Sequence, residues 1–236
     1  MARVTVEICV DGAEGLAAAV AGGADRVELC SALPLGGLTP SAGLMCLAGR
    51  SGVPAMALIR PRTGDFVFTP SEAAVMEADI TAARAAGMAG VVLGAQLPDG
   101  RLDQALLARL VKAAEGLDLT LHRCFDLVPD RAEALETAVE LGFRRILTSG
   151  GAVRADQALP EIAARIAQAA GRISIMPGSG VGPENAGRFV AIGAQELHGS
   201  CSLPGQGADP RLAALGFAVG LRTDAARVRA FCAAVR

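Results

Sequence analysis

Eight alternations of a short β-rich run with a longer Ala-rich stretch predict a (β/α)8 TIM barrel, read as a single domain over residues 1–236. Two further observations point the same way. The length of 236 residues falls within the roughly 200 to 250 that α/β barrels fill as one unit, and no linker-like change of composition divides the chain. Hydrophobic residues make up 52% of the sequence and charged residues 19%. A chain this apolar offsets its ordering entropy by burying a core, so disorder is excluded. An open doubly wound sheet is the competing arrangement; eight units in this length favour closure.

The strand candidates are residues 4–9, 26–30, 55–60, 90–93, 117–122, 145–148, 173–176 and 195–198. A helix signal follows each of them. After the third, Thr69-Pro70-Ser71-Glu72 supplies an N-cap hydroxyl, a proline at the first helical position and a glutamate three residues on, which is a capping box. Asp130 with Glu133 repeats the solution after the fifth strand, and Gly182-Pro183-Glu184 opens a helix after the seventh. Gly23, Gly87, Gly142 and Gly193 each stand between a helix end and an even-numbered strand, where a left-handed glycine turns the chain back onto the sheet. Recurrence of this segment reads either as an internal repeat or as ordinary loop chemistry. Residues 199–221 form the one long irregular segment, an elaborated loop with a short helix expected at 211–215.

Composition removes several functions. Apolar runs are broken by Gly, Pro or charge before the roughly 18 residues a spanning helix needs, and residues 1–9 lack the regions of a signal peptide. A cytoplasmic protein with no membrane partner is expected. Net charge of −2 and 3% aromatics offer neither a basic patch nor a stacking surface, so no nucleic acid is expected. The six cysteines include no C-x-x-C pair. Lys112 is the sole lysine and reads as helical, which argues against Schiff-base chemistry. Neither a Walker loop nor a dinucleotide fingerprint occurs.

Barrel enzymes carry their chemistry where strands end, and polar residues gather there. Strand one ends Glu7-Ile8-Cys9 and strand two Glu28-Leu29-Cys30, so on each the acid and the thiol share a face. Strand three ends at Arg60, strand five at His122-Arg123, and strand eight carries Glu196, His198 and Ser200 at alternate positions. Both histidines of the chain therefore close strands. Glu7, Glu28, Arg60 and His122 form either a plug of mutually paired charges or a functional pocket. Gly178-Ser179-Gly180 after strand seven and Gly199-Ser200 after strand eight place small residues where backbone N–H groups could hold an anion, or are plain turns. Cys46 and Cys232 read as small core residues of helices. Cys9 and Cys30 lie on neighbouring strands about 4.8 Å apart, a span two thiolates close around a soft ion such as Cu(I), unless barrel stagger offsets the pair by a layer.

The stretches EICVDG, GGADRVELC, LGGLTPS, IRPRTGDF, LHRCFD, ILTSG, IMPGSGV and ELHGS together resemble the CutC family of copper homeostasis proteins along nearly the whole chain. The resemblance implies a TIM barrel, a cytoplasmic location, a role in copper handling, Cu(I) ligands at Cys9 and Cys30, and a homodimer or tetramer. The chain departs from the family pattern at Cys124, where a small residue is usual, at Ser179, where a glycine is usual, and over residues 202–220. Two functions remain open. In one the protein binds Cu(I) through Cys9 and Cys30 as a buffer or carrier. In the other it is an enzyme of isomerase, lyase or hydrolase type acting on a small anionic or phosphorylated metabolite. Catalysis would then fall to Glu7 or Glu28 as base, His122 as acid, and Arg60 and Arg123 as anion clamps, with Gly178, Ser179, Gly180, His198, Gly199 and Ser200 binding the substrate. A noncatalytic interaction scaffold is a third reading.

Overall fold

All eight β-rich runs form strands in the computed structural model, which describes residues 3–204, 211, 214–215 and 220–236. In chain order the elements are β1 (Thr5–Val10), α1 (Ala13–Gly22), β2 (Arg26–Leu29), α2 (Ala42–Ala48), β3 (Ala55–Leu58), α3 (Pro70–Ala85), β4 (Gly90–Leu93), α4 (Gln104–Ala113), β5 (Asp118–Leu121), α5 (Arg131–Glu140), β6 (Arg145–Thr148), α6 (Leu159–Ala169), β7 (Ser174–Pro177), α7 (Ala186–Ala191), β8 (Glu196–Gly199), β9 (Ser202–Pro204), β10 (Leu221–Thr223) and α8 (Ala225–Ala233). Strands β1 to β8 make one parallel sheet in the order β7-β6-β5-β4-β3-β2-β1-β8. The ends of that order lie side by side, giving a nearly closed TIM barrel. Among the described residues no ladder joins β7 to β8.

Period-two alternation divides the side chains into two populations. Val6, Ile8 and Val10 of β1, Val27 and Leu29 of β2, and Ala55, Ala57 and Ile59 of β3 and its end face outward and join the helices in one large core. Met56, Leu58, Val92 and Cys30 face inward and form a separate small cluster inside the barrel. Much of the rest of the interior is polar. Glu7, Arg26, Glu28, Thr120, His122, Arg145 and His198 are all buried there.

Local signals act as the sequence suggests in most places. Thr69 and Glu72 make the reciprocal capping box, and Asp130 accepts from the N–H groups of Ala132 and Glu133. Gly23, Gly87, Gly142 and Gly193 have φ between 78° and 96°, the left-handed region in which a Cβ is costly. Three expectations are corrected. The helix after β7 begins at Ala186, because Asn185 accepts from Gly182 N–H and holds residues 182–185 as a turn. Cys46 is exposed on α2 rather than buried. The ends of the segment expected to be irregular pair as an antiparallel ribbon, β9 with β10. The short helix expected at 211–215 lies mostly outside the described residues.

Helix α8 packs on α1 through Gly22, where an added Cβ would stand 2.4 Å from Val228 Cβ. Gly22→Ala should therefore destabilise the fold by about 1–3 kcal/mol through overpacking. Thermal unfolding reads this as roughly 2–4 °C per kcal/mol for a chain of this size; an unchanged midpoint would contradict the close α1–α8 contact.

Candidate functional site

The register of the first two strands sets the site. Cys9 lies opposite Glu28, and Glu7 opposite Arg26 on β2 and His198 on β8. Cys30 continues β2 beyond Glu28 and so stands one side-chain layer above Cys9, nearer the mouth. Cys9, Glu28 and His198 are buried, and one ligand atom from each lies within 4.8 Å of the others.

His198 is oriented from below. Its Nδ1 lies 2.9 Å from Glu7 Oε1. Burial alone would push the Glu7 carboxyl up, but the Arg26 guanidinium and the hydrogen bond and charge of His198 outweigh it and hold Glu7 at about 2. An ionised carboxylate only accepts, so Nδ1 carries the hydrogen. That leaves Nε2 on the side of Glu28 Oε2, 3.6 Å away, with the Cys9 thiol within 4.8 Å of the cluster. Burial disfavours the imidazolium, yet Cys9, Glu7 and Glu28 together raise His198 well above its ordinary value. Glu28 moves oppositely to Glu7: burial pushes it up to about 7, with the Glu7 charge adding to the effect and His198 opposing it. Cys30 is also raised by burial and by the negative groups around it, so its thiol keeps its proton.

Below Glu7 runs a chain of alternating charge that the strand-end reading does not contain. Arg26 donates to both Glu7 and Glu196. Arg145 donates to Glu196 at 3.1 Å, to Thr120 Oγ1 at 3.0 Å and to Asp118 at 2.7 Å. Arg26 and Arg145 open their strands, and their parity with Glu28 and Leu147 is the signal that could have placed them inside.

Above Cys9 and Glu28 the barrel holds a chamber of about 170 Å3, lined by Cys9, Glu28, Cys30, Arg60, His122 and His198 among others. Thus Cys9, Cys30, Glu28, Arg60, His122 and His198 come together, while Glu7 lies beneath them and takes no part in the chamber wall. Arg123 sits at the rim, bound to Asp126 and Ser149. His122 is neutral, because burial and the Arg60 charge push it down to about 3. The glycines of the two last loops separate. A Cβ at Gly178 would meet Leu147 and His198, and one at Gly199 would meet Val181 O and Phe231, so both are close-packing positions. Gly180 and Ser200 instead border a second cleft of about 200 Å3 with Arg154 and Arg227, and Ser179 holds Val153 O through its hydroxyl.

Fold and site together define a TIM barrel that buries thiol, imidazole and carboxylate groups in one cluster at the carboxyl ends of its strands. A family model described as the CutC family matches residues 4–203, and the chain belongs to that family. A family protein CutC from Sinorhizobium medicae is 59% identical over 233 residues, covering 98% of this chain and 95% of the relative. One from Vibrio cholerae is 48% identical over 200 residues, covering 83% and 79%. Among solved structures, the putative copper homeostasis protein CutC from Streptococcus agalactiae is 32% identical, with a TM-score of 0.80 over 84% of this chain and 98% of that one. Thiamine phosphate pyrophosphorylase from Pyrococcus furiosus, at 14% identity and a TM-score of 0.61, shares the fold alone.

Two outcomes test the electrostatics. Glu7→Ala leaves Arg26 and His198 without their shared buried partner and should cost about 3–5 kcal/mol in chemical denaturation at pH 7; a loss under about 1 kcal/mol would refute the central role of Glu7. The folded-state value of Glu28, about 7, lies above the model-peptide 4.5. Its contribution is therefore complete below about pH 4.5 and lost as pH rises through 7. Glu28→Gln should gain stability relative to the parent between pH 5 and pH 8, and a flat difference across that window would contradict the shift.

Proposed function

We propose that the protein handles Cu(I) as cargo in the barrel mouth, as a buffer or carrier in copper homeostasis, with Cys9 and Cys30 as its thiolate ligands and His198 Nε2 beside them. One observation carries the reading: His198 is tied through Nδ1 to the Glu7 carboxylate, which leaves Nε2 on the side of Glu28 with the Cys9 thiol in the same cluster. A carboxylate holding the far nitrogen of an imidazole fixes its orientation and raises its basicity, which is how metal-binding histidines are supported. Sulfur and imidazole donors suit Cu(I), and side chains within 4.8 Å close on an ion at bond lengths of about 2.0–2.3 Å with small movements. Cys30 joins from the layer above by a side-chain rotation toward the same point. The six cysteines are free thiols, which fits a reducing cytoplasm as the working compartment. No helix among the described residues is long and apolar enough to cross a membrane.

Anaerobic Cu(I) titration against a competing chelator tests this. The chain has neither Trp nor Tyr, so copper-thiolate absorption in the near ultraviolet is unobscured. The Cys9→Ser, Cys30→Ser double variant should lose stoichiometric binding, and tight binding that survives would overturn the assignment. Glu7→Gln should weaken affinity by about 10–100-fold. His198 and Cys30 both hold protons in the metal-free site, so uptake releases protons and affinity should climb from pH 6 to pH 8.

A second reading rests on a different observation, the buried Glu28 at about 7 facing a chamber that also holds neutral His122. A carboxyl poised near neutrality with an opposed N–H donor suits proton transfer on a small metabolite. In this reading Glu28 is the base, His122 the donor, and Arg60 and Arg123 face the substrate.

A further inference from the structure

Arg60 is a buried cation that no carboxylate among the described residues pairs with. It is 7% exposed. Its Nη1 donates to the carbonyl oxygens of Leu35 at 3.2 Å and Gly37 at 3.0 Å, its Nη2 to that of Gly64 at 2.9 Å, and its Nε has no partner. The ionic neighbour acting on it is Arg62, a second cation. The other two buried arginines differ: Arg26 pairs with Glu7 and Glu196, and Arg145 with Asp118 and Glu196. Backbone carbonyls solvate a guanidinium but do not neutralise it, and a buried charge without a counterion costs several kcal/mol.

A second unpaired donor lines the same space. His122, 5% exposed, accepts the Cys124 N–H at Nδ1 over 3.1 Å. Because the ring is neutral and Nδ1 is an acceptor, the hydrogen resides on Nε2, and Nε2 is buried without a partner. A buried donor left unmade costs about 1–3 kcal/mol. Phe66 ties the two together, with its ring centroid 4.7 Å from that of His122 and 5.0 Å from the Arg60 guanidinium carbon. Arg60, Phe66 and His122 share the chamber wall with Leu33, Leu58 and Leu147. Its volume of about 170 Å3 suits a small molecule.

We propose that this chamber binds a small organic carboxylate, which draws the Arg60 and His122 side chains toward it to take their unpaired N–H groups, while its carbon skeleton packs on Phe66, Leu58 and Leu147. Arginine suits a carboxylate through charge and planar geometry together. The apolar side chains of the wall, Leu33, Leu58, Phe66 and Leu147, favour a carbon skeleton over a bare inorganic anion. This deepens the second reading above by naming its ligand class, and it is a claim about binding alone. Carboxylate binding without any turnover would sink the proton-transfer reading and leave this proposal standing; turnover of neutral compounds with no carboxylate affinity would do the reverse.

Calorimetry and ligand-observed NMR at pH 7, on the whole chain with a Cu(I) chelator present, test it. The probes are pyruvate, glycolate, butyrate and succinate, with glycolamide, chloride and phosphate as controls. At least one carboxylate should bind one to one with a Kd in the millimolar range or tighter, and glycolamide at least about tenfold more weakly than glycolate. Leu33→Trp, which enlarges a side chain of the chamber wall other than the two donors, should abolish binding, and His122→Phe should weaken it about tenfold. Arg60→Gln also loses three loop contacts, so its result counts only if circular dichroism shows a folded chain; the other two variants carry the test otherwise. The proposal falls if no carboxylate binds at about 10 mM, if glycolamide, chloride or phosphate binds as well as the carboxylates, or if Leu33→Trp binds like the parent.

Discussion

Alternation of charge across the barrel interior is the constraint on which the site depends. Asp118, Arg145, Glu196, Arg26, Glu7 and His198 follow one another with opposite signs. Each is buried or partly buried, and each would be costly alone. Paired in series they satisfy one another and tie β5, β6, β8, β2 and β1 together. The series also crosses the β7–β8 seam, where no ladder forms among the described residues, because Arg145 of β6 and Glu196 of β8 bind over it. The polar floor thus does part of the closing that backbone hydrogen bonds do elsewhere around the ring.

The same series sets the chemistry above it. Arg26 keeps Glu7 ionised, Glu7 fixes the hydrogen of His198 on Nδ1, and His198 then presents Nε2 on the side of Glu28, with Cys9 in the same cluster. Glu28 is the last carboxylate in line and has no arginine of its own, so burial prevails and it is drawn toward neutrality. Two acids one layer apart therefore move in opposite directions, Glu7 down to about 2 and Glu28 up to about 7, and the difference traces to the position of one guanidinium. Across the chamber the imbalance is reversed, with Arg60 cationic and paired with no acid among the described residues. One mouth thus holds a soft thiol and imidazole cluster on the β1–β8 side and an unmatched cation on the β3–β5 side.

Much of this was legible in the chain. Period-two patterning placed Glu7 with Cys9 and Glu28 with Cys30 on shared inward faces, and the strand-end positions of His122 and His198 brought both histidines to one cavity. Arg26, Arg145 and Glu196 carried the same parity, yet their weight came only from meeting one another, since residues 26, 145 and 196 are distant in sequence. Gly178 and Gly199 read from composition as an anion cradle or as plain turns, and the structure adds that neither has room for a Cβ. Cys46 looked like core from its helical setting, and the α2 face it occupies is turned to solvent.

Sequence alone determined the elements and their order, because helix caps, left-handed glycines and inside–outside alternation act over a few residues and need no partner. It also determined which residue types reach the carboxyl ends of the strands. Tertiary structure decided the stagger between strands, and with it that Cys9 faces Glu28 while Cys30 stands a layer higher. Stagger is a property of the closed sheet as a whole. It follows from how eight strands tilt to meet, so no single strand encodes which of its side chains will touch a neighbour's.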